Sequence, residues 1–258
     1  MIAVLLAPNP GPYTGAGTNS YIISSRGEAL VIDPGPVIPE HLAAIVASLR
    51  DVTPVGVVAT HTHPDHAPLA NPLATELDVP VLGFGPGPEF VPDRRLRDGD
   101  VMQVGSLDVV AVHTPGHTED HLCFRIGDRL LTGDHIMGGS TVVIDDAAAY
   151  MDSLYKVRDL HVSRIDPGHG PAIDDAGAVI DDYIEHRMMR ERQLIEAIEA
   201  GAGTVGDLVD AVYGSVPPAV RPAAVHQVIV QLVKVSGDGL VRFATGGADE
   251  RTIVELVK

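Results

Sequence analysis

The run Thr60-His61-Thr62-His63-Pro64-Asp65-His66 constrains this chain more than any other stretch, because four metal-capable side chains fall within six residues directly after an apolar segment. Imidazole nitrogens and carboxylate oxygens are donors that zinc and related divalent ions accept, and a catalytic ion takes three protein ligands with one position left open. One run cannot finish such a site. Residues 55–59 read as a buried strand, so the run lies at its C-terminal end, the usual place for functional loops in layered α/β architectures. Further donors must come to that strand end from distant parts of the chain. Candidates are His117 in Thr114-Pro115-Gly116-His117-Thr118, Asp134 in Thr132-Gly133-Asp134, and His169 in Pro167-Gly168-His169-Gly170-Pro171. Each sits in a Gly- or Pro-flanked turn after an apolar run. Any one histidine among the 12 is ordinarily a surface or core residue, but together these side chains complete the coordination of two ions.

Periodicity elsewhere predicts a mixed α/β chain. Residues 1–7 read as a strand; 20–24 and 29–33 pair around Arg26-Gly27, and 39–50 form a helix with Leu42, Ile45, Val46 and Leu49 on one face. Strands follow at 107–113, 121–126 and 129–131, with a helix at 147–160. A long helix runs from Asp174 or Asp175 to about Ala200 and is stopped by Gly201. Thr204-Val205-Gly206-Asp207 is a capping-box pattern opening a short helix to Gly214; a helix at 222–235 and a hairpin of 239–244 with 252–257 complete a winged-helix order. The expected division is 1–202, including the long helix as a bridge, and 203–258 as a small winged-helix-like domain.

The motif H-x-H-x-D-H, met by His61, His63, Asp65 and His66, together with the later donors, resembles the metallo-β-lactamase-fold hydrolases. That resemblance implies an αββα sandwich with the metals in a cleft between sheet edges. It implies that His61, His63 and His117 hold one ion, that Asp65, His66 and His169 hold the second, and that Asp134 bridges both. Two cations about 3.5 to 4 Å apart repel, so a shared carboxylate and hydroxide between them are expected. Stretches 133–138, 150–154, 167–171 and 183–187 further resemble the β-lactamase-like protein 2 subfamily, whose members include an endoribonuclease acting on single-stranded RNA. The true antibiotic-degrading lactamases lack the bridging Asp, so penicillin hydrolysis is not expected.

The implied enzyme is a dinuclear metal-dependent hydrolase using a metal-bridging hydroxide, with Asp65 and Asp134 at the chemistry and two divalent ions, Zn2+ ahead of Mn2+ or Fe2+, as cofactors. A phosphodiesterase or endoribonuclease-like activity on single-stranded RNA is the leading expectation. A glyoxalase II-like thioesterase or another ester or lactone hydrolase acting on a small molecule is the alternative; a non-enzymatic winged-helix binding module is a third reading. Asp33, in Val31-Ile32-Asp33-Pro34-Gly35, either supports the metal loop or only forms a turn. Asn19, Tyr21 and His135 have open roles, and Cys123 reads as a buried thiol.

A net charge of −17 opposes phosphate-backbone binding. From residue 203 onward five basic residues face six acidic ones, and the helix at 222–235 offers only Lys234 and His226 as cations. Stable duplex DNA binding is therefore not expected. Arg94, Arg95 and Arg97 read as a solvated loop among Asp93, Asp98 and Asp100. With no basic n-region, no long apolar span and one cysteine, the expected compartment is cytoplasmic and no membrane contact is expected; a homodimer is expected from the superfamily alone.

Overall fold

The computed structural model describes residues 1–138 and 142–257, which separate into two compact units. The first comprises residues 1–115, 120–142 and 158–179. Its six-stranded sheet runs in chain order: β1 (Ile2–Leu6), β2 (Asn19–Ser25), β3 (Glu28–Ile32), β4 (Thr53–Val58), β5 (Val81–Gly83) and β6 (Arg94–Arg95). Arg26 and Gly27 join β2 to β3 with φ of 50° and 85°. Positive φ at both central residues gives the hairpin turn whose twist matches the strands. From β3 onward the neighbours are parallel, with α1 (Pro39–Ser48) before β4 and α2 (Ala70–Leu77) before β5.

The second sheet has the order β11-β10-β9-β8-β7, built from β7 (Val101–Val104), β8 (Leu107–His113), β9 (Leu122–Ile126), β10 (Arg129–Gly133) and β11 (Arg164–Pro167). Only β10 and β11 pair in parallel. Strand alternation sorts side chains between two cores. Ile23, Leu30, Ile32 and Val58 of the first sheet meet Val109, Ala111, Phe124 and Leu131 of the second, whereas Val31 and Val57 turn outward against Ile45 of α1 and Leu73 of α2. Full burial of a Val, Leu, Ile or Phe side chain contributes about 1.5 to 3 kcal/mol.

The second unit holds residues 116–119, 143–157 and the chain from Ile180 onward. It contains most of α3 (Ala147–Arg158) and α4 (Ala176–Glu199), then α5 (Val205–Tyr213), α6 (Arg221–Gly237) and the antiparallel pair β12 (Val241–Phe243) and β13 (Val254–Leu256). Leu194 and Ile198 of α4, Leu208 of α5, Val228 and Leu232 of α6, and Val241 and Val254 share one core. The capping box is formed: Asp207 N donates to Thr204 Oγ1 at 3.1 Å and Thr204 N to the Asp207 carboxylate at 3.0 Å. The α4 residues before residue 203 pack in the same core as α5 and α6.

The sequence pattern does not announce α2 or the short strands β5, β6, β7 and β11. Pro72 lies in the first turn of α2, where its missing N–H costs no helical hydrogen bond. Arg94 and Arg95 are exposed as expected, yet they form edge strand β6 rather than a loop; charged edge residues disfavour pairing with another chain. No described helix is long and apolar enough to cross a membrane.

Candidate metal centre

Parallel pairing brings the donor-bearing turns together. Because β3 and β4 run side by side with Ile32 opposite Val58, Asp33 and Thr60 leave the sheet together; Gly133 opposite Pro167 does the same for Asp134 and His169. Leu122 N donates to Thr60 O at 2.7 Å and Asn19 N to Gly168 O at 2.8 Å, tying the strand ends across the two sheets.

Asp65, His66, Asp134 and His169 form one group whose donor atoms all lie within 4.8 Å of one another. His66 Nε2 stands 3.2 Å from His169 Nε2, 3.3 Å from Asp134 Oδ1 and 3.6 Å from Asp65 Oδ2. His169 Nε2 is 3.3 Å from Asp134 Oδ1 and 3.1 Å from Asp65 Oδ2. Donors at roughly 2.0 to 2.1 Å from a tetrahedral zinc ion are separated by about 3.3 Å, so the donor spacing fits one ion.

The far sides of both rings determine what these nitrogens carry. His66 Nδ1 faces Asp33 Oδ2 at 2.9 Å, and His169 Nδ1 faces the Gly17 carbonyl at 3.1 Å. Both partners only accept, so each Nδ1 bears the proton and each Nε2 is bare when the ring is neutral. Two bare nitrogens and two carboxylates converging inside the protein repel unless positive charge lies among them, as protons or as a metal ion. Two glycines permit this approach. A Cβ on Gly168 would stand 2.8 Å from Asp134 Oδ1 and 2.8 Å from His66 Cε1, and one on Gly17, at φ +142°, would stand 2.0 Å from the Ala7 carbonyl oxygen.

The second group is His61, His63, His117 and Asp134, also within 4.8 Å. His61 Nε2 and His63 Nδ1 face each other at 2.9 Å. His61 Nδ1 donates to Thr60 Oγ1 at 3.0 Å, and that hydroxyl donates to Asp33 Oδ2 at 2.8 Å. His117 Nδ1 donates to the Val143 carbonyl at 2.6 Å, which likewise leaves Nε2 as the donor atom. Asp134 is the one residue common to both groups, the position expected for a bridge.

With protons as the only cations, charge and burial compete. Burial opposes the charged form of His66, but Asp134 and Asp33 outweigh it and hold its pKa well above the ordinary value. His169 is pushed up to about 9: its burial works against charging, and Asp134 and Asp65 prevail. Burial would raise the Asp134 carboxyl, yet His66 and His169 bring it well below the usual range; Asp65 is lowered too, burial being overcome by His169 and His66. These groups share positive charge tightly, and a divalent ion competes with protons for the same positions.

Asp33, buried and in left-handed backbone at φ 51°, accepts from Thr60 N at 2.7 Å, Thr60 Oγ1 and His66 Nδ1. It therefore does more than form a turn. Asn19 and Tyr21 brace the His169 turn: Asn19 Nδ2 donates to the carbonyls of Pro167 and Gly170 at 2.9 Å each, and Tyr21 OH to Pro167 O at 2.7 Å. His135 is fully buried, its ring 6.1 Å from that of His121. Cys123 is buried as expected. The residue missed from sequence is His121, which reads there as the start of an apolar strand and lies with its ring 5.0 Å from that of His61. A buried imidazole opening an apolar run is its only signal.

Residues 13–169 match the family described as the metallo-beta-lactamase superfamily, and residues 204–249 match the beta-lactamase associated winged helix domain. The chain is 35% identical over 249 residues to a beta-lactamase-like protein 2 homolog of Caenorhabditis elegans, covering 92% of this chain and 84% of that protein. It is 33% identical over 264 residues to the atrochrysone carboxyl ACP thioesterase of Aspergillus chevalieri, covering 97% and 85%. Among solved structures, a metallo-beta-lactamase family protein of Thermus thermophilus, TTHA1429, superposes with a TM-score of 0.80 at 18% identity over 99% of this chain and 98% of that one. TTHA1623, crystallised in a di-iron-bound form, is 27% identical with a TM-score of 0.55 over 72% of this chain and 97% of its own.

Proposed function

This chain belongs to the metallo-beta-lactamase superfamily and carries the associated winged helix, and from that membership we propose a hydrolase working with two divalent ions. Asp65, His66 and His169 would hold one, His61, His63 and His117 the other, and Asp134 both. The observation that carries this reading is the convergence of His66 Nε2 and His169 Nε2 at 3.2 Å, with two carboxylates beside them. Such ions supply Lewis acidity toward an ester-like oxygen and lower the pKa of water toward about 7. Imidazole and carboxylate donors suit zinc, manganese and iron alike; zinc is our first assignment, and the di-iron form of TTHA1623 makes iron the competitor.

The protein's own groups do the rest. Asp33 fixes His66 directly and His61 through Thr60, so both rings keep Nε2 turned inward. Asp134, with a side chain only 10% exposed, is shielded from bulk water, whereas Asp65 at 24% is the carboxylate able to pass a proton outward.

Charge ranks the substrate classes. The chain is at −17, and the basic residues of α6 are committed: Arg221 to Glu250 and Asp210, Lys234 to Glu191 and Asp238. This disfavours single-stranded RNA and duplex DNA. A small thioester or carboxylic ester is the reading we place first, supported by the thioesterase relative; a phosphodiester, expected from the subfamily resemblance, stands second. The test is an assay of purified protein on S-acylglutathiones, acyl-pantetheine thioesters, lactones and single-stranded RNA, with chelator and Asp134→Ala controls. Chelator-sensitive thioester or ester turnover supports the first reading. RNA cleavage lost with Asp134→Ala reverses the order, and hydrolysis unaffected by both controls overturns the metal mechanism.

A further inference from the structure

Behind the shared carboxylate lies a buried chain of polar groups that the metal ligands do not account for. Asp134 N donates to His121 Nε2 at 3.2 Å, His121 Nδ1 lies 3.0 Å from Thr114 Oγ1, Thr114 Oγ1 lies 3.3 Å from Cys123 Sγ, and Cys123 Sγ donates to the Thr132 carbonyl at 3.7 Å. All four contributing residues, Thr114, His121, Cys123 and Thr132, are fully buried. Donor arithmetic fixes the direction of the chain. A backbone N–H can only donate, so Nε2 of His121 must be bare, and the neutral ring carries its proton on Nδ1. Thr114 Oγ1 accepts that proton's hydrogen bond and passes its own hydrogen to Cys123, whose weak S–H ends on Thr132 O. The path thus leaves Asp134 and returns to the same strand end two residues earlier. Gly133, between them at φ +47°, lets the ring in: a Cβ there would stand 2.9 Å from His121 Nε2.

From this geometry we infer that His121 is a positioning residue for Asp134, acting as a neutral Nδ1–H imidazole whose bare Nε2 anchors the Asp134 backbone and so sets where its carboxylate enters both donor groups. The inference rests on the reading of Asp134 as a shared metal ligand. Groups that orient metal ligands from behind typically change metal affinity by about 10- to 100-fold when lost. His121→Phe keeps a ring of similar size and removes the acceptor; His121→Gln keeps an acceptor oxygen near the place of Nε2.

Three proteins, wild type, His121→Phe and His121→Gln, are compared for Zn2+ dissociation constants by competition with a chromophoric chelator, with thermal midpoints of the metal-free forms alongside. The expected result is Zn2+ affinity weakened about 10- to 100-fold in the Phe variant and restored to within a few-fold by Gln. A Phe variant with wild-type affinity, or a Gln variant weakened as much as Phe, overturns the role. Asp134→Ala separates the two failures. Wild-type zinc affinity in that variant sinks the ligand reading itself, whereas its loss beside an unaffected His121→Phe sinks only the positioning. Should His121→Phe not fold, nuclear magnetic resonance on 15N-labelled wild-type protein decides. A through-hydrogen-bond coupling between Asp134 N and His121 Nε2 is expected, and a proton found on Nε2 refutes the inference.

Discussion

Substituting Asp33 by Asn should disable the metal centre while barely changing its shape. The Asp33 carboxylate collects three donors: Thr60 N at 2.7 Å, Thr60 Oγ1 at 2.8 Å and His66 Nδ1 at 2.9 Å. An Asn can keep the first through its carbonyl, but its NH2 then meets the other two donor groups where Oδ2 stood. Relief requires the rings to change tautomer. His66 must accept at Nδ1 and carry its proton on Nε2, or the Thr60 hydroxyl must turn toward His61 Nδ1 and force the same exchange there. Either change caps a donor atom needed by an ion, and the loss of such support lowers metal affinity about 10- to 100-fold. Two hydrogen bonds to a charged group, each contributing about 1.5 to 3 kcal/mol, are also lost. Allowing for relaxation, the metal-free protein should lose about 3 kcal/mol, which for a domain of this size is a fall in Tm of roughly 6 to 12 °C. Chelator competition measures the first effect, and thermal unfolding of metal-free protein measures the second. Wild-type affinity in Asp33→Asn, with or without the Tm change, would refute the orienting role and leave Asp33 as a turn-former.

Three other expectations follow from the same geometry. Gly168→Ala places a Cβ 2.8 Å from Asp134 Oδ1 and His66 Cε1, so metal content by atomic emission should fall while the fold, followed by circular dichroism, survives. Asn19→Ala strips the donors from the Pro167 and Gly170 carbonyls; about 1 to 3 kcal/mol of stability should be lost, with slower hydrolysis because the His169 turn loosens. His169 at about 9 is protonated at neutral pH when no ion is bound, so zinc loading should release protons measurable in weakly buffered solution. The sign follows from the raised value: the His169 proton competes below about 9 and is lost above it, so apparent zinc affinity should rise with pH up to that range.

The centre is legible in the sequence because its chemistry is concentrated. His61, His63, Asp65 and His66 follow one strand, and the remaining donors each follow an apolar run and a glycine, a pattern that survives without knowing which strands are neighbours. Which strands pair is a long-range property, and so Asp33 stays ambiguous in the sequence: only the parallel β3/β4 register sets it against Thr60 and His66. The role of His121 is invisible there for a related reason. Its value lies in a hydrogen bond to a backbone amide 13 residues away, which no spacing announces. The missed strands are two to four residues long, β6 being only Arg94–Arg95, too short for alternation to show. Helix α2 is obscured by Pro72, whose place in the first turn is harmless but reads as a breaker.

Binding of two ions depends on Asp134 as the carboxylate common to both positions. Metal content and affinity of wild type and Asp134→Ala, measured on protein reconstituted with zinc or iron and freed of excess ion, test this directly. Two ions per chain in the wild type, with both weakened in Asp134→Ala and hydrolysis lost with them, is the predicted result. A wild type that holds no ion, or an Asp134→Ala protein that retains two at unchanged affinity, would contradict it.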